Sequence, residues 1–150
     1  MNWKAVIIGG IVFWIVTNIF GMFGTGILIH EKILDPIYRA NESFWVPELR
    51  QDPPDMAALM PKWLINSLIS SLIVSGIYVC VHSSFSGAGW KKGLMWGLCL
   101  GFFAGAMVWS WGGLFDLPAK MWVWWVIDGL ILYPIGGAAM GWATARFAGT

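Results

Sequence analysis

The chain of 150 residues has 58% hydrophobic and 11% charged side chains, and its formal net charge is +1. Soluble domains carry about 25% charged residues, so this composition has too little charge for an ordinary water-exposed surface. The near-neutral balance offers no basic surface to nucleic acid, and we expect no nucleic-acid partner.

Four stretches are almost free of charge, and each reaches the ~20 apolar residues that span a bilayer. We therefore predict an all-α fold, a single transmembrane domain that forms a four-helix bundle in lipid. Helix one covers residues 5–29, helix two 63–82, helix three 93–114 and helix four 121–144.

The connection between helix one and helix two, residues 30–62, carries most of the charged side chains. Because a structureless connection of this length is uncommon, we expect it to be ordered. The apolar residues Phe44, Trp45, Val46 and Leu49 lie amid Glu42, Glu48 and Arg50 and indicate short interfacial helices. Asp52, which precedes two prolines, suits a helix N-cap. This outer connection is either a lid over the helices or a docking surface for another protein.

Helix three has a glycine at every fourth position in GLMWGLCLGFFAG. Residues spaced in this way share one side of a helix, and small residues let helices approach closely in lipid. We expect helix three to lie centrally and to pack on small residues of the other helices. The alternative is that the stripe contacts a second copy or another subunit. The predicted helix-packing residues are Gly93, Gly97, Gly101, Gly105, Gly137, Gly141 and Gly21.

Helix four contains Asp128, the one acidic residue within a predicted span. An acid inside a membrane is costly, faces the protein interior and often marks a functional site. One hypothesis is a site for a proton, an ion or a small polar ligand; another is a hydrogen-bonded structural cluster, and a third is contact with another subunit. The residues expected to surround Asp128 in the outer part of the bundle are Ser110, Asn66, Ser67, Ser70, Ser71 and Thr25.

Metal and catalytic motifs are absent from the sequence. His30 and His82 are expected at opposite faces of a bilayer ~30 Å thick, where each is interpreted as an interfacial side chain. Neither a nucleophile motif nor a metal-ligand spacing is present. We therefore predict a non-enzymatic protein with no cofactor and no metal site.

The distribution of basic residues predicts the orientation. Lys4, Lys91, Lys92 and Arg146 fall on one side of the predicted membrane together with both termini. Positively charged residues favour the cytoplasmic side, so we expect cytoplasmic termini and an outer connection on the opposite side.

The start MNW and the segment GLCLGFFAGAMVWSWGGLFDLPAKMWVWWVIDGLILYPIGGAAMGWA resemble small bacterial four-helix membrane proteins of a domain-of-unknown-function class. The resemblance lies mainly in the C-terminal half, in the glycine-rich helix three and the aromatic start of helix four. It implies a multi-pass protein of the bacterial cytoplasmic (inner) membrane and implies no activity.

Two functions fit these patterns. The first is an accessory or structural subunit that packs with protein partners, either other chains or copies of itself, in the lipid bilayer. The second is a small bundle that binds or translocates a proton, an ion or a polar ligand at Asp128.

Overall fold

The computed structural model describes residues 2–149, which are predominantly helical and contain no β-strand. It has four helices long and apolar enough to cross a membrane, which confirms the number predicted from the charge pattern. Helix one is Trp3–Ala40, helix two Met56–Ser84, helix three Gly89–Trp111 and helix four Ala119–Ala148.

Helix one is longer than predicted and changes its geometry midway. It begins with the Asn2 side chain, whose oxygen accepts a hydrogen bond from the Ala5 N–H at 3.1 Å. Trp3–Phe20 is α-helical, Gly21–Leu34 is π-helical, and Asp35–Ala40 is α-helical again. The predicted end at residue 29 is therefore wrong, and His30 lies within the helix.

The outer connection is correspondingly shorter, running from residue 41 to residue 55. It contains two short 3₁₀ turns, Glu42–Phe44 and Pro47–Leu49. Helix two begins at Met56 instead of residue 63, because the Asp55 carboxylate accepts the Ala58 N–H at 3.1 Å and caps the first turn. The N-cap predicted at Asp52 is wrong by three positions.

The helices pack in the order two, one, four, three, so helix one and helix four are the central pair. Helix three packs almost entirely against helix four, which corrects the expectation that helix three is central. The core near the chain termini joins helices one, two and four through Val6, Phe13, Tyr78 and Met140. A second core at the opposite end surrounds Leu117, Met121 and Trp122.

All four glycines of the stripe are buried, and helix four covers them. A methyl group placed on Gly97 would lie 2.7 Å from Pro134 Cα, and one on Gly93 would lie 2.8 Å from Gly141 Cα. Carbon atoms in ordinary contact are about 3.5–4.0 Å apart, so the backbones approach closely because these side chains are missing. This contact within the chain leaves the stripe unavailable to a second copy.

The other predicted packing glycines divide between two contacts. Gly137 faces helix three, where a methyl group would lie 2.9 Å from Gly97 Cα. Gly21 instead faces helix four at ordinary contact distance, with Leu132 Cδ1 3.7 Å from a methyl group at that position. Helix one therefore contacts helix four at Gly21, the residue where its π-helical segment begins.

Both ends of the chain lie at the same end of the molecule. The Asn2 side-chain amide donates a hydrogen bond to the carbonyl oxygen of Ala148 at 3.0 Å. The outer connection and the short loop before helix four lie at the other end, where Ile37 and Tyr38 pack against the Leu117 core.

Candidate site at the outer end

An acid of helix four and a histidine of helix one meet where the two helices pack. His30 Nε2 lies 3.4 Å from Asp128 Oδ2, and their side chains are 35% and 19% exposed. The sequence analysis interpreted His30 as an interfacial side chain at the end of helix one and did not include it among the residues around Asp128. Helix one in fact continues through residue 30 and presents the imidazole to helix four.

Tyr38 extends the pair towards the outer end. Its hydroxyl oxygen is 2.7 Å from His30 Nδ1, and it accepts a hydrogen bond from Trp125 Nε1 at 2.9 Å. The rings of His30 and Tyr38 stack with their centroids 6.0 Å apart. We call Asp128, His30, Tyr38 and Trp125 the polar network.

The donor and acceptor groups of these side chains determine which atom donates in each hydrogen bond of the network. The Trp125 indole can only donate, so the Tyr38 oxygen accepts from it and its own proton is free for His30 Nδ1. The neutral imidazole then carries its proton on Nε2, facing Asp128. A protonated imidazole would donate from both nitrogens, and both partner oxygens can accept. The same heavy-atom arrangement therefore accommodates His30 with or without the extra proton.

Two buried oxygens beside this network have no hydrogen-bond partner among residues 2–149. They are Asp128 Oδ1 and Thr25 Oγ1. Gly21 faces Leu132 and His30 faces Asp128, so helix one and helix four run antiparallel along this contact, with Thr25 between the two levels. Buried polar atoms without partners are costly, and each has capacity for a proton, a water molecule or an ion.

The structure does not bring the other predicted polar residues to Asp128, which corrects the sequence interpretation. Ser67 accepts a hydrogen bond from Trp14 Nε1 at 2.9 Å, so it faces helix one. Helix one lies between helix two and helix four in the packing order, so Ser67 meets helix one and not Asp128. The remaining predicted residues bond within their own helix or are exposed: Ser71 donates to the Ser67 carbonyl, Ser110 donates to the Met107 carbonyl, and Asn66 and Ser70 are exposed.

A cavity of about 490 Å³ adjoins the polar network at the outer end. Four aromatic side chains line it: Tyr38, Trp45, Trp63 and Trp125. The Trp45 ring stands at 82° to Tyr38 and at 68° to Trp125, with centroids 5.1 and 6.2 Å apart. Tyr38 and Trp125 thus belong both to the cavity wall and to the polar network.

Charged side chains surround the mouth of this cavity. Arg39 Nε lies 2.9 Å from Asp35 Oδ2, and its Nη1 lies 3.9 Å from Asp52 Oδ2. Arg50 donates to the carbonyl oxygens of Trp45 and Ser43 at 2.6 and 2.8 Å. Glu42 also lines the cavity.

Within residues 2–149, no group of three His, Cys, Asp or Glu side chains is arranged to hold a metal ion. Comparison of the chain with protein-family models, with curated proteins and with solved structures gave no match. The candidate site is therefore interpreted from its own geometry. Sequence reasoning identified Asp128 but missed His30 and Tyr38 as its partners; only the proximity of residues 30 and 38 to the end of helix one hinted at their role.

Proposed function

We propose that this chain is a non-catalytic membrane protein that binds a proton and a small ligand in its outer half, around Asp128. The observation that carries the proposal is the Asp128 carboxylate, which has one oxygen 3.4 Å from His30 and the other buried with no hydrogen-bond partner among the described residues. Most buried carboxylate oxygens in folded proteins are hydrogen-bonded, so an unpaired one needs an explanation. The unsatisfied oxygen leaves a position for the bound proton or ion.

The network also explains how proton binding reaches the ligand cavity. A proton added at the Asp128–His30 pair changes which atom donates along the hydrogen bond from Tyr38 to His30. Tyr38 lines the cavity, so its hydroxyl is the link between the two sites. The nearby charged side chains Glu31 and Lys32 on helix one are exposed, and Asp35 pairs with Arg39.

Infrared difference spectroscopy of the protein in lipid nanodiscs tests the proposal. Acidification is expected to produce a protonated-carboxyl band in the wild type that Asp128→Asn removes. Asp116→Asn is the matched control, because Asp116 is an exposed acid near the same end of the molecule. His30→Gln should shift this band through loss of the Nε2 contact, whereas His82→Gln should leave it unchanged, since His82 contacts the Val79 carbonyl instead.

Tyr38→Phe separates the proton site from its link to the cavity. In the wild type, acidification should also change the fluorescence emission of Trp125, whose indole donates to Tyr38. The variant should keep the Asp128 band and lose this change. Spectra of wild type and Asp128→Asn that superimpose throughout the acidification would overturn the proposed function.

We place this protein in the bacterial cytoplasmic membrane with both termini in the cytoplasm. Four apolar helices and termini at one end support a multi-pass arrangement. Basic residues near that end favour the cytoplasmic side. Isoleucines at every fourth position form exposed ridges suited to lipid: Ile7, Ile11, Ile15 and Ile19 on helix one, and Ile65, Ile69, Ile73 and Ile77 on helix two.

A second candidate function is that of an accessory subunit within a larger complex or homo-oligomer. The observation that favours it is the open packing order, in which helix two and helix three each pack extensively against one helix only. Copurification in mild detergent tests this function. A stoichiometric partner or a defined oligomer is expected, and a lone monomer would contradict it.

A further inference from the structure

We infer that the outer cavity binds an organic ammonium ion carried on an apolar body. The inference names the ligand class of the proposed function and rests on it, because Tyr38 and Trp125 belong to both the polar network and the cavity.

The aromatic walls favour a cation over an anion or a neutral polar solute. The face of an aromatic ring carries negative charge density and attracts alkylammonium groups, most strongly when the ring is tryptophan. Trp45, Trp63 and Trp125 all line this one cavity, together with Tyr38. The steep angles at Trp45 make the Tyr38, Trp45 and Trp125 rings three walls that meet at corners.

The charged side chains at the mouth of the cavity also favour a cation. The two arginines are already engaged, Arg39 by two carboxylates and Arg50 by two backbone carbonyls. Glu42 has no ion-pair partner within 4.0 Å among residues 2–149. The lining includes three acids, Asp35, Glu42 and Asp52, against these two bases, so an incoming cation meets a net negative rim.

The cavity also has room for an apolar body. A volume of about 490 Å³ lies within the range of small-molecule sites and greatly exceeds that of a bare metal ion. Leu59 and Met56 of helix two and Leu49 of the connection supply apolar wall beyond the aromatic rings. The preferred ligand is therefore an amphipathic amine or quaternary ammonium compound.

The shared residues make ammonium binding and proton binding compete. A cation against Tyr38 lies close to His30, whose Nδ1 is 2.7 Å from the tyrosine hydroxyl. Like charges repel, so a bound ammonium ion and a protonated imidazole at this corner of the cavity would disfavour each other.

Titration calorimetry in nanodiscs, with empty nanodiscs subtracted, tests the ligand class. The probe is phenyltrimethylammonium, and the control is its neutral isostere tert-butylbenzene. The protein should bind the cation and show no saturable binding of the isostere. Trp63→Leu should weaken binding of the cation about tenfold, whereas Trp63→Phe, which keeps a ring face, should weaken it less.

Trp111→Leu is the matched control, because Trp63 and Trp111 are both 49% exposed and Trp111 does not line the cavity. Glu42→Gln should weaken binding about threefold, in keeping with an exposed charge. Equal binding of cation and isostere, or equal losses in Trp63→Leu and Trp111→Leu, would overturn the inference.

Two further measurements distinguish a lipid from a free solute as the source of the ammonium group, and the ligand class from the proton site. Probe binding is compared in phosphatidylcholine and phosphatidylglycerol nanodiscs. Weaker binding in phosphatidylcholine means that the lipid headgroup competes for the cavity and is the ammonium source, whereas equal binding in both means that the source is a free solute. Either result supports an ammonium site. The Asp128 infrared band measured on the same samples reports on the proton site alone. A persistent band without probe binding overturns the ligand class and leaves the proton site standing.

Discussion

The close contact between helix three and helix four allows one substitution to be compared at two neighbouring positions. A methyl group at Gly97 would lie 2.7 Å from Pro134 Cα, a backbone atom that no side-chain rotation can move away. At Gly101 the nearest atom is the end of the Leu130 side chain, at 3.3 Å, which can move by a few tenths of an ångström. Helix propensity gains up to ~1 kcal/mol from glycine to alanine, and this gain cancels when the two variants are compared.

The difference between the two variants is therefore steric. Overpacking in a rigid contact costs about 1–3 kcal/mol, so Gly97→Ala should be less stable than Gly101→Ala by about that amount. Equilibrium unfolding in mixed micelles, followed by circular dichroism, measures it. Equal stabilities would refute the assignment of helix four as the cover of the stripe. A Gly97→Ala protein that stays stable but changes its oligomeric state would place the contact between chains instead.

Two further contacts give measurable predictions. Trp14→Phe removes a hydrogen bond to Ser67 Oγ between helix one and helix two, and a double-mutant cycle with Ser67→Ala should give a coupling of about 0.6 kcal/mol in the same unfolding assay; a coupling of zero would contradict this contact. Asp55→Ala removes the N-cap of helix two, whose carboxylate accepts the Ala58 N–H, and should cost about 1 kcal/mol, whereas Asp52→Ala should cost much less. A larger loss of stability in Asp52→Ala than in Asp55→Ala would instead identify Asp52 as the N-cap, as the sequence analysis expected.

The number of helices could be predicted because the clusters of charged residues mark where each long apolar run ends. These clusters do not mark where hydrogen bonding ends. Helix one continues past the charged residues Glu31 and Lys32, which are exposed and therefore do not interrupt the helix. Helix two likewise begins well before its apolar run, at the water-exposed cap provided by Asp55.

The neighbours of each helix were harder to predict. Small residues indicate that a close approach occurs, but they do not identify the partner. Helix three has its glycines on one side only and so accommodates one close neighbour, whereas a central helix needs two such surfaces. Helix one has them: the positions around Gly9 approach Ser75 of helix two and Thr144 of helix four, and Gly10 approaches Leu72.

The contact between His30 and Asp128 could not be predicted from the sequence because helix one is π-helical around His30. Buried positions in the first half of helix one follow the α-helical spacing of three to four residues, from Ala5 to Phe13. An α-helical continuation of that face would turn Leu28 and Glu31 towards helix four, yet both are exposed.

With hydrogen bonds from i to i+5 the spacing widens, and Thr25, Ile29 and Leu34 become the buried positions. This shift turns His30 to Asp128. A π-helix is rarely adopted, and here it extends over 14 residues, so its tertiary contacts must offset the poorer geometry. The contact it creates at Asp128 includes an unsatisfied buried oxygen, which adds no stability of its own. A costly helix geometry that leads to an acid with an unpaired oxygen supports the proposal that this acid binds a proton or an ion.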